Sequence, residues 1–141
     1  MKLRVTRTDT WAAIIDDKPG ALADELAALA AAGGNLELIV ARRAPEQRGS
    51  GVVFVTPLKG AKQLRAADAA GFQKTESLHS LRVEGTDKPG AVATLTRALA
   101  DAGVNLLGLS AAALGKRHVT YLALDTARDA AKAATVLRKL S

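Results

Sequence analysis

One internal duplication constrains the fold of this chain more than any other feature of its sequence. Residues 17–36 read DKPGALADELAALAAAGGNL and residues 87–106 read DKPGAVATLTRALADAGVNL, so 13 of 20 positions are identical at an offset of 70. Eight of these matches are residues other than Ala, which an alanine-rich chain does not match by chance. A repeat of this kind indicates two copies of one structural unit, so the 141 residues are expected to form two small units.

Both copies predict the same order of elements. A short strand-like stretch (11–15 and 81–85), the first more clearly apolar than the second, precedes the DKPG turn. The helix that follows carries Leu or Val on one face and ends at a Gly. We expect the Pro to lie in the first turn of that helix, where its fixed φ is tolerated. A strand beginning at Asn-Leu, a hairpin, a second strand and a second helix (59–70 and 126–140) then follow.

This order predicts an α+β fold of two ferredoxin-like βαββαβ units, each an antiparallel sheet with helices on one face. The units are expected at residues 8–78 and 79–141. The first copy ends with a strand-like segment (72–77), whereas the second has no strand after its last helix. Residues 2–7 (KLRVTR) are expected to supply that strand, within the chain or across a dimer, because the sheet would otherwise have an unpaired edge.

The D-x-P-G turn after the first strand and the Gly-x-Asn-Leu step after the first helix resemble the ACT domain in both copies. The resemblance covers nearly the whole chain and implies a stand-alone tandem of two ACT units. ACT domains bind amino acids or similar small metabolites, often between paired units, and many regulate enzymes of amino-acid metabolism. The resemblance therefore implies a regulatory protein that binds an amino acid and forms a homodimer. Some serine-binding ACT domains have a His two residues before the turn, where this chain has Ile15 and Gly85.

The duplicated turn also offers groups that suit a zwitterionic ligand. The unpaired N–H groups and the positive end of a helix suit a carboxylate, an Asp suits an ammonium group, Gly allows close approach, and Asn carries donors and acceptors. A purely structural role stays open, because Asp-Lys-Pro-Gly is also a good turn and Asp a good helix cap. The predicted ligand-binding residues are Asp17, Lys18, Pro19, Gly20, Ala21, Asn35 and Leu36 in the first copy, and Asp87, Lys88, Pro89, Gly90, Ala91, Asn105 and Leu106 in the second.

Catalysis and metal binding are not expected from this sequence. It contains no Cys, and His79 and His118 lie in strand-like segments without partners at metal-ligand spacing, so each is expected to be exposed or packed. No nucleophile–base pair, phosphate-binding loop or dinucleotide motif is present. We therefore expect no enzyme activity, no cofactor and no metal.

Two alternatives to a ligand sensor remain at this stage. The first is a regulatory subunit that acts mainly by contacting a metabolic enzyme. The second is a nucleic-acid-binding ferredoxin-like protein, which the net charge of +6 suggests. The scattered basic residues and the 3% aromatic content argue against it. Neither a secretory signal nor a membrane span is recognisable, so a cytoplasmic protein without membrane contact is expected.

Overall fold

The computed structural model describes residues 2–75 and 79–141 and shows two compact units. The N-terminal unit is Asp9–Thr75, and the C-terminal unit consists of the start of the chain up to Thr8 and its end from His79 onward. Residues 76–78, which include the end of the strand-like segment expected at 72–77, lie outside the described residues.

Each unit has the order of elements that the duplication predicts. The C-terminal unit begins with β1 (Arg4–Thr8). The N-terminal unit follows with β2 (Trp11–Asp16), α1 (Ala21–Ala31), β3 (Leu38–Arg43), β4 (Ser50–Thr56), α2 (Gly60–Ala69) and β5 (Gln73–Lys74). The C-terminal unit continues with β6 (His79–Thr86), α3 (Ala91–Asp101), β7 (Gly108–Leu114), β8 (Arg117–Leu124) and α4 (Ala127–Leu140).

The two sheets share one topology. Their strand orders are β3-β4-β2-β5 and β7-β8-β6-β1, and every pairing is antiparallel. The fold class predicted from the sequence, two ferredoxin-like βαββαβ units, is therefore confirmed. Within the described residues, no helix is long and apolar enough to cross a membrane.

Strand β1 takes the place in the C-terminal sheet that β5 takes in the N-terminal sheet. It pairs with β6 from Arg4 opposite Glu84 to Thr8 opposite Ser80. Leu3 and Val5 enter the core of the unit, and burial of each contributes about 1.5–3 kcal/mol to its stability. The pairing lies within one chain, so residues 2–7 need no second copy to complete this sheet.

The cores follow from the alternation of the strands and from the small residues of the helices. In the C-terminal unit, Leu81 and Val83 of β6 are fully buried against Leu95 and Leu99 of α3. Helix α4 contributes three buried alanines, whose small side chains allow close packing on the sheet: Ala130, Ala133 and Ala134. The corresponding core of the N-terminal unit contains Leu29, Val53, Val55, Ala67 and Phe72.

Candidate functional site: the two DKPG turns

Each DKPG turn ends at a glycine that caps a helix in the left-handed conformation. Gly20 has a φ of 90° and precedes α1, and Gly90 has a φ of 82° and precedes α3. A residue with a Cβ is strained there, so the backbone itself requires glycine. Pro19 and Pro89 lie before the cap and outside the helices, so the expectation of a Pro in the first helical turn is wrong. No atom lies within 4 Å of the Cβ position at either glycine, which leaves the space beside it open.

The first turn of each helix has backbone N–H groups without a partner inside the helix. In α3 the Ala91 N–H donates to the Lys88 carbonyl (3.1 Å) and the Thr94 N–H donates to the Gly90 carbonyl (2.9 Å). No side chain caps the start of α1 or α3, both of which the structure describes in full. Two N–H groups at the positive end of each helix are therefore placed to bind an anion, those of Leu22 and Ala23 in α1 and of Val92 and Ala93 in α3.

Each turn forms a backbone hydrogen bond with the hairpin of its own sheet. The Asp17 N–H donates to the Gly49 carbonyl at 2.9 Å, and the Asp87 N–H donates to the Lys116 carbonyl at 2.8 Å. Gly49 lies in the connection between β3 and β4, and Lys116 lies in the connection between β7 and β8. The backbone of both Asp residues is thereby fixed, while their side chains remain exposed.

The two Asp carboxylates differ in their partners. Asp17 Oδ2 lies 3.0 Å from Arg43 Nε at the end of β3. Asp87 has no ion pair within the described residues, and the residue of β7 at the position of Arg43 is Ala113. Neither Asp caps its helix through its side chain. The carboxylate of Asp87 is thus the one available to an ammonium group.

Asn35 and Asn105 do not lie beside the turns of their own units. Each follows the C-terminal end of an 11-residue helix whose N-terminal end carries the turn. At 1.5 Å per residue, that helix separates the Asn from the turn by about 16 Å. Both Asn residues are exposed and lie in the loops before β3 and β7, not at the first residues of those strands. Leu36 and Leu106 are half-buried and pack against the cores. The predicted residues that come together are therefore those of the turns.

His118, which the sequence analysis expected to be merely exposed or packed, lies next to the second turn. It is 2% exposed, and its Nδ1 is 3.1 Å from Thr120 Oγ1. Its Nε2 is buried and has no hydrogen-bond partner within the described residues. His118 pairs with Gly85, two residues before Asp87, and a Cβ on Gly85 would lie 2.7 Å from Nε2. The imidazole therefore fills the space that a side chain at position 85 would take.

Two further polar groups are partly buried. Arg82, on the face of β6 opposite Gly85, forms an ion pair with Glu84, and its Nε donates to the Tyr121 hydroxyl at 3.0 Å. Burial lowers the pKa of Arg82, whereas the hydrogen bonds with Tyr121 and Glu84 raise it, and the net change is upward. Burial raises the pKa of Glu25 in α1, and the charge of Asp24 raises it further. Within residues 2–75 and 79–141, no His, Asp and Glu side chains cluster as a metal site.

A family model matches the C-terminal unit: residues 79–141 match the model of the ACT domain. The resemblance inferred from the DKPG turn and the Gly-x-Asn-Leu step is thereby confirmed for that copy. Comparison with curated proteins gives no match.

Several solved structures have the fold of the whole chain. A protein from Bacteroides thetaiotaomicron is 17% identical with a TM-score of 0.78, over 96% of this chain and 90% of its own. The ligand-free regulatory subunit of aspartate kinase from Thermus thermophilus is 19% identical with a TM-score of 0.68, over 99% and 96%. The regulatory subunit of aspartate kinase from Thermus flavus is 16% identical with a TM-score of 0.62, over 99% and 96%. At these identities the likeness establishes the fold.

Proposed function

Because residues 79–141 match the model of the ACT domain and the N-terminal unit repeats the same fold, we propose that the protein is a non-catalytic regulatory protein that binds an amino acid at its DKPG turns. The observation that carries the proposal is the second turn, where a free carboxylate lies beside the open start of a helix. The two structural neighbours from Thermus are regulatory subunits, which supports a regulatory role for a chain of similar length and the same fold.

The second turn has a complement for each charge of an amino acid. The N–H groups of Val92 and Ala93 and the positive end of α3 attract the carboxylate. The Asp87 carboxylate, without an ion pair in the described part of the chain, attracts the ammonium group. The open space beside Gly90 lets the ligand backbone approach the turn. The first turn has the same backbone, but there Arg43 already neutralises Asp17.

The proposal includes a homodimer formed through the edge strand β7. This strand is unpaired on one side and carries exposed apolar side chains, with Leu109 at 41% and Leu114 at 82% exposure, and Leu107 just before it at 54%. It contains no charged residue, although charges on an edge strand commonly prevent strand addition. A second copy would add a strand beside β7 and so bond the backbone N–H and C=O groups on the free edge of this strand. In the alternative hypothesis, a metabolic enzyme would add that strand instead.

Thermal unfolding in the presence of each of the twenty amino acids tests the proposal. A ligand at about 100 times its Kd stabilises the folded state by about 2.7 kcal/mol, which raises the Tm by several degrees and increases with concentration. Asp87→Asn should reduce this shift because the ammonium group loses its partner. Asp125→Asn is the matched control, since Asp125 is exposed at the opposite end of β8. A flat response of the wild-type protein to all twenty amino acids would rule out the proposed ligand class.

A further inference from the structure

His118 has a buried hydrogen-bonding atom that the protein leaves unused. The ring is 2% exposed, and its Nε2 has no partner among the described residues. Leaving a buried polar atom unsatisfied costs about 1–3 kcal/mol, so a folded chain seldom keeps one without another use for it. The Nε2 lies over Gly85, and the bond from the Asp87 N–H to the Lys116 carbonyl holds the turn against the strand that carries His118. The unused atom thus lies against β6 at Gly85, two residues before the first residue of the second turn.

The hydrogen-bond pattern around the ring identifies Nε2 as a donor. Thr120 Oγ1 is fully buried, and its one hydrogen bond in the described part of the chain is with His118 Nδ1. If Nδ1 donated to Thr120, the hydroxyl proton would also lack an acceptor, and two buried polar groups would be unsatisfied. If the hydroxyl donates to Nδ1, only the Nε2–H remains without a partner. The second arrangement costs less, so the group over Gly85 is an N–H that requires an oxygen acceptor.

The first copy lacks this group, although its backbone is the same. The strand pairing places Gly51 opposite Ile15 in the N-terminal sheet, where the C-terminal sheet has His118 opposite Gly85. Val53 holds the position of Thr120, two residues further along the strand. The N-terminal unit thus fills the same space with a hydrocarbon side chain and has no polar pair there. The same fold can fill this space with a hydrocarbon side chain, so the polar pair of His118 and Thr120 is a feature of the C-terminal unit alone.

We infer that the Nε2–H of His118 selects the side chain of the ligand at the second DKPG turn, and that this side chain carries an oxygen acceptor. The inference rests on the proposed function, since the turn must first bind the amino-acid backbone. The ligand class is an amino acid with a hydroxyl, amide or carboxylate side chain. The side chain reaches the imidazole by displacing the terminal methyl of Leu3, whose Cδ2 lies 2.8 Å from the Cβ position of Gly85.

Calorimetric titration with matched pairs of amino acids tests this selection. Serine is compared with alanine, threonine with valine, and asparagine with leucine, so that each pair differs in the oxygen-bearing group at similar shape. One satisfied hydrogen bond predicts that the wild-type protein binds at least one oxygen-bearing member about tenfold more tightly than its apolar partner. His118→Leu should reduce this preference to within about threefold, while His79→Leu, which changes the only other His, should retain it.

Spectroscopy of the unmodified protein gives a second measurement that does not depend on the folding of a variant. With ¹⁵N-labelled histidine, addition of the tightest-binding amino acid should shift the Nε2 resonance of His118 and leave that of His79 in place. Binding without a preference for oxygen, a preference that survives in His118→Leu, or an unchanged Nε2 resonance would overturn the inference alone. Failure of the wild-type protein to bind any amino acid would overturn the proposed function and the inference with it.

Discussion

The substitution Gly85→Ala gives a direct test of the packing around His118. A Cβ at this position would lie 2.7 Å from His118 Nε2 and 2.8 Å from Leu3 Cδ2, closer than real Cβ contacts allow. Overpacking of this kind costs about 1–3 kcal/mol, and the lower entropy of the unfolded Ala chain offsets about 0.4–1 kcal/mol of it. Gly85 does not have a positive φ, so no backbone strain adds to the clash. We expect a net loss of about 1–2 kcal/mol in the stability of the C-terminal unit.

Amide hydrogen exchange of β6 and β8 measures this loss, because it reports the free energy of opening of the C-terminal unit by itself. Gly108→Ala is the matched control in the same sheet. There the Cβ would meet Ala123 Cβ at 3.8 Å, an ordinary contact, so the exchange should be unchanged or slower. In a His118→Ala background the clash with the imidazole is gone and only the contact with Leu3 remains, so Gly85→Ala should cost less, giving a coupling of about 0.5–2 kcal/mol. Equal costs of Gly85→Ala with and without the imidazole would refute the packing described here.

Three further predictions concern other parts of the fold. Gly90→Ala should lower the free energy of unfolding by about 1–2 kcal/mol in chemical denaturation, because the left-handed backbone is strained for Ala even where the space is open. An unchanged denaturation midpoint would contradict the cap geometry. Deletion of residues 1–8 should lower amide protection in β6 by about 3 kcal/mol or more, since the unit loses Leu3, Val5 and an edge strand; full protection would show that β1 is dispensable. The pKa of Glu25 is raised in the folded state, so the folded protein binds more protons and the free energy of unfolding should fall as the pH rises above 4.5 through the folded pKa. Denaturation at several pH values should show that Glu25→Gln removes this fall, and parallel profiles of variant and wild type would exclude Glu25 as its source.

The duplication makes most of the fold predictable. Two copies of a DKPG turn, an amphipathic helix and a Gly-x-Asn step fix the order of elements, because each copy confirms the interpretation of the other. The missing strand of the second copy identifies residues 2–7 by elimination, and β1 pairs with β6. Apolar periodicity locates the core faces of α1 and α3, where Leu29, Leu95 and Leu99 are the fully buried positions.

The composition of the site is less predictable, because it depends on distances in space. Asn35 and the first turn belong to the same repeated sequence motif, but they lie at opposite ends of α1. The role of His118 is not visible from the repeat, because the hairpins of the two copies differ in length. Arg43 pairs with Gly51 and Ala113 pairs with His118, so the offset between the copies falls from 70 residues before the hairpin to 67 after it. A constant offset therefore aligns His118 with the wrong residue, and its position over Gly85 follows only from the strand register.

The position of β1 has a consequence for how the chain folds during synthesis. The whole N-terminal unit lies in the connection between two strands that pair with each other, and the Leu3 N–H donates to Ser141 Oγ at 2.8 Å across a sequence separation of 138 residues. Residues 9–75 can therefore complete their sheet on the ribosome while β1 still lacks its neighbour. The sheet that carries His118 gains its last strand by one of the longest closures available to this chain, and such non-local pairings form slowly. The strand β6, which leads into the second DKPG turn, would thus gain its edge neighbour only after the N-terminal unit has been synthesised.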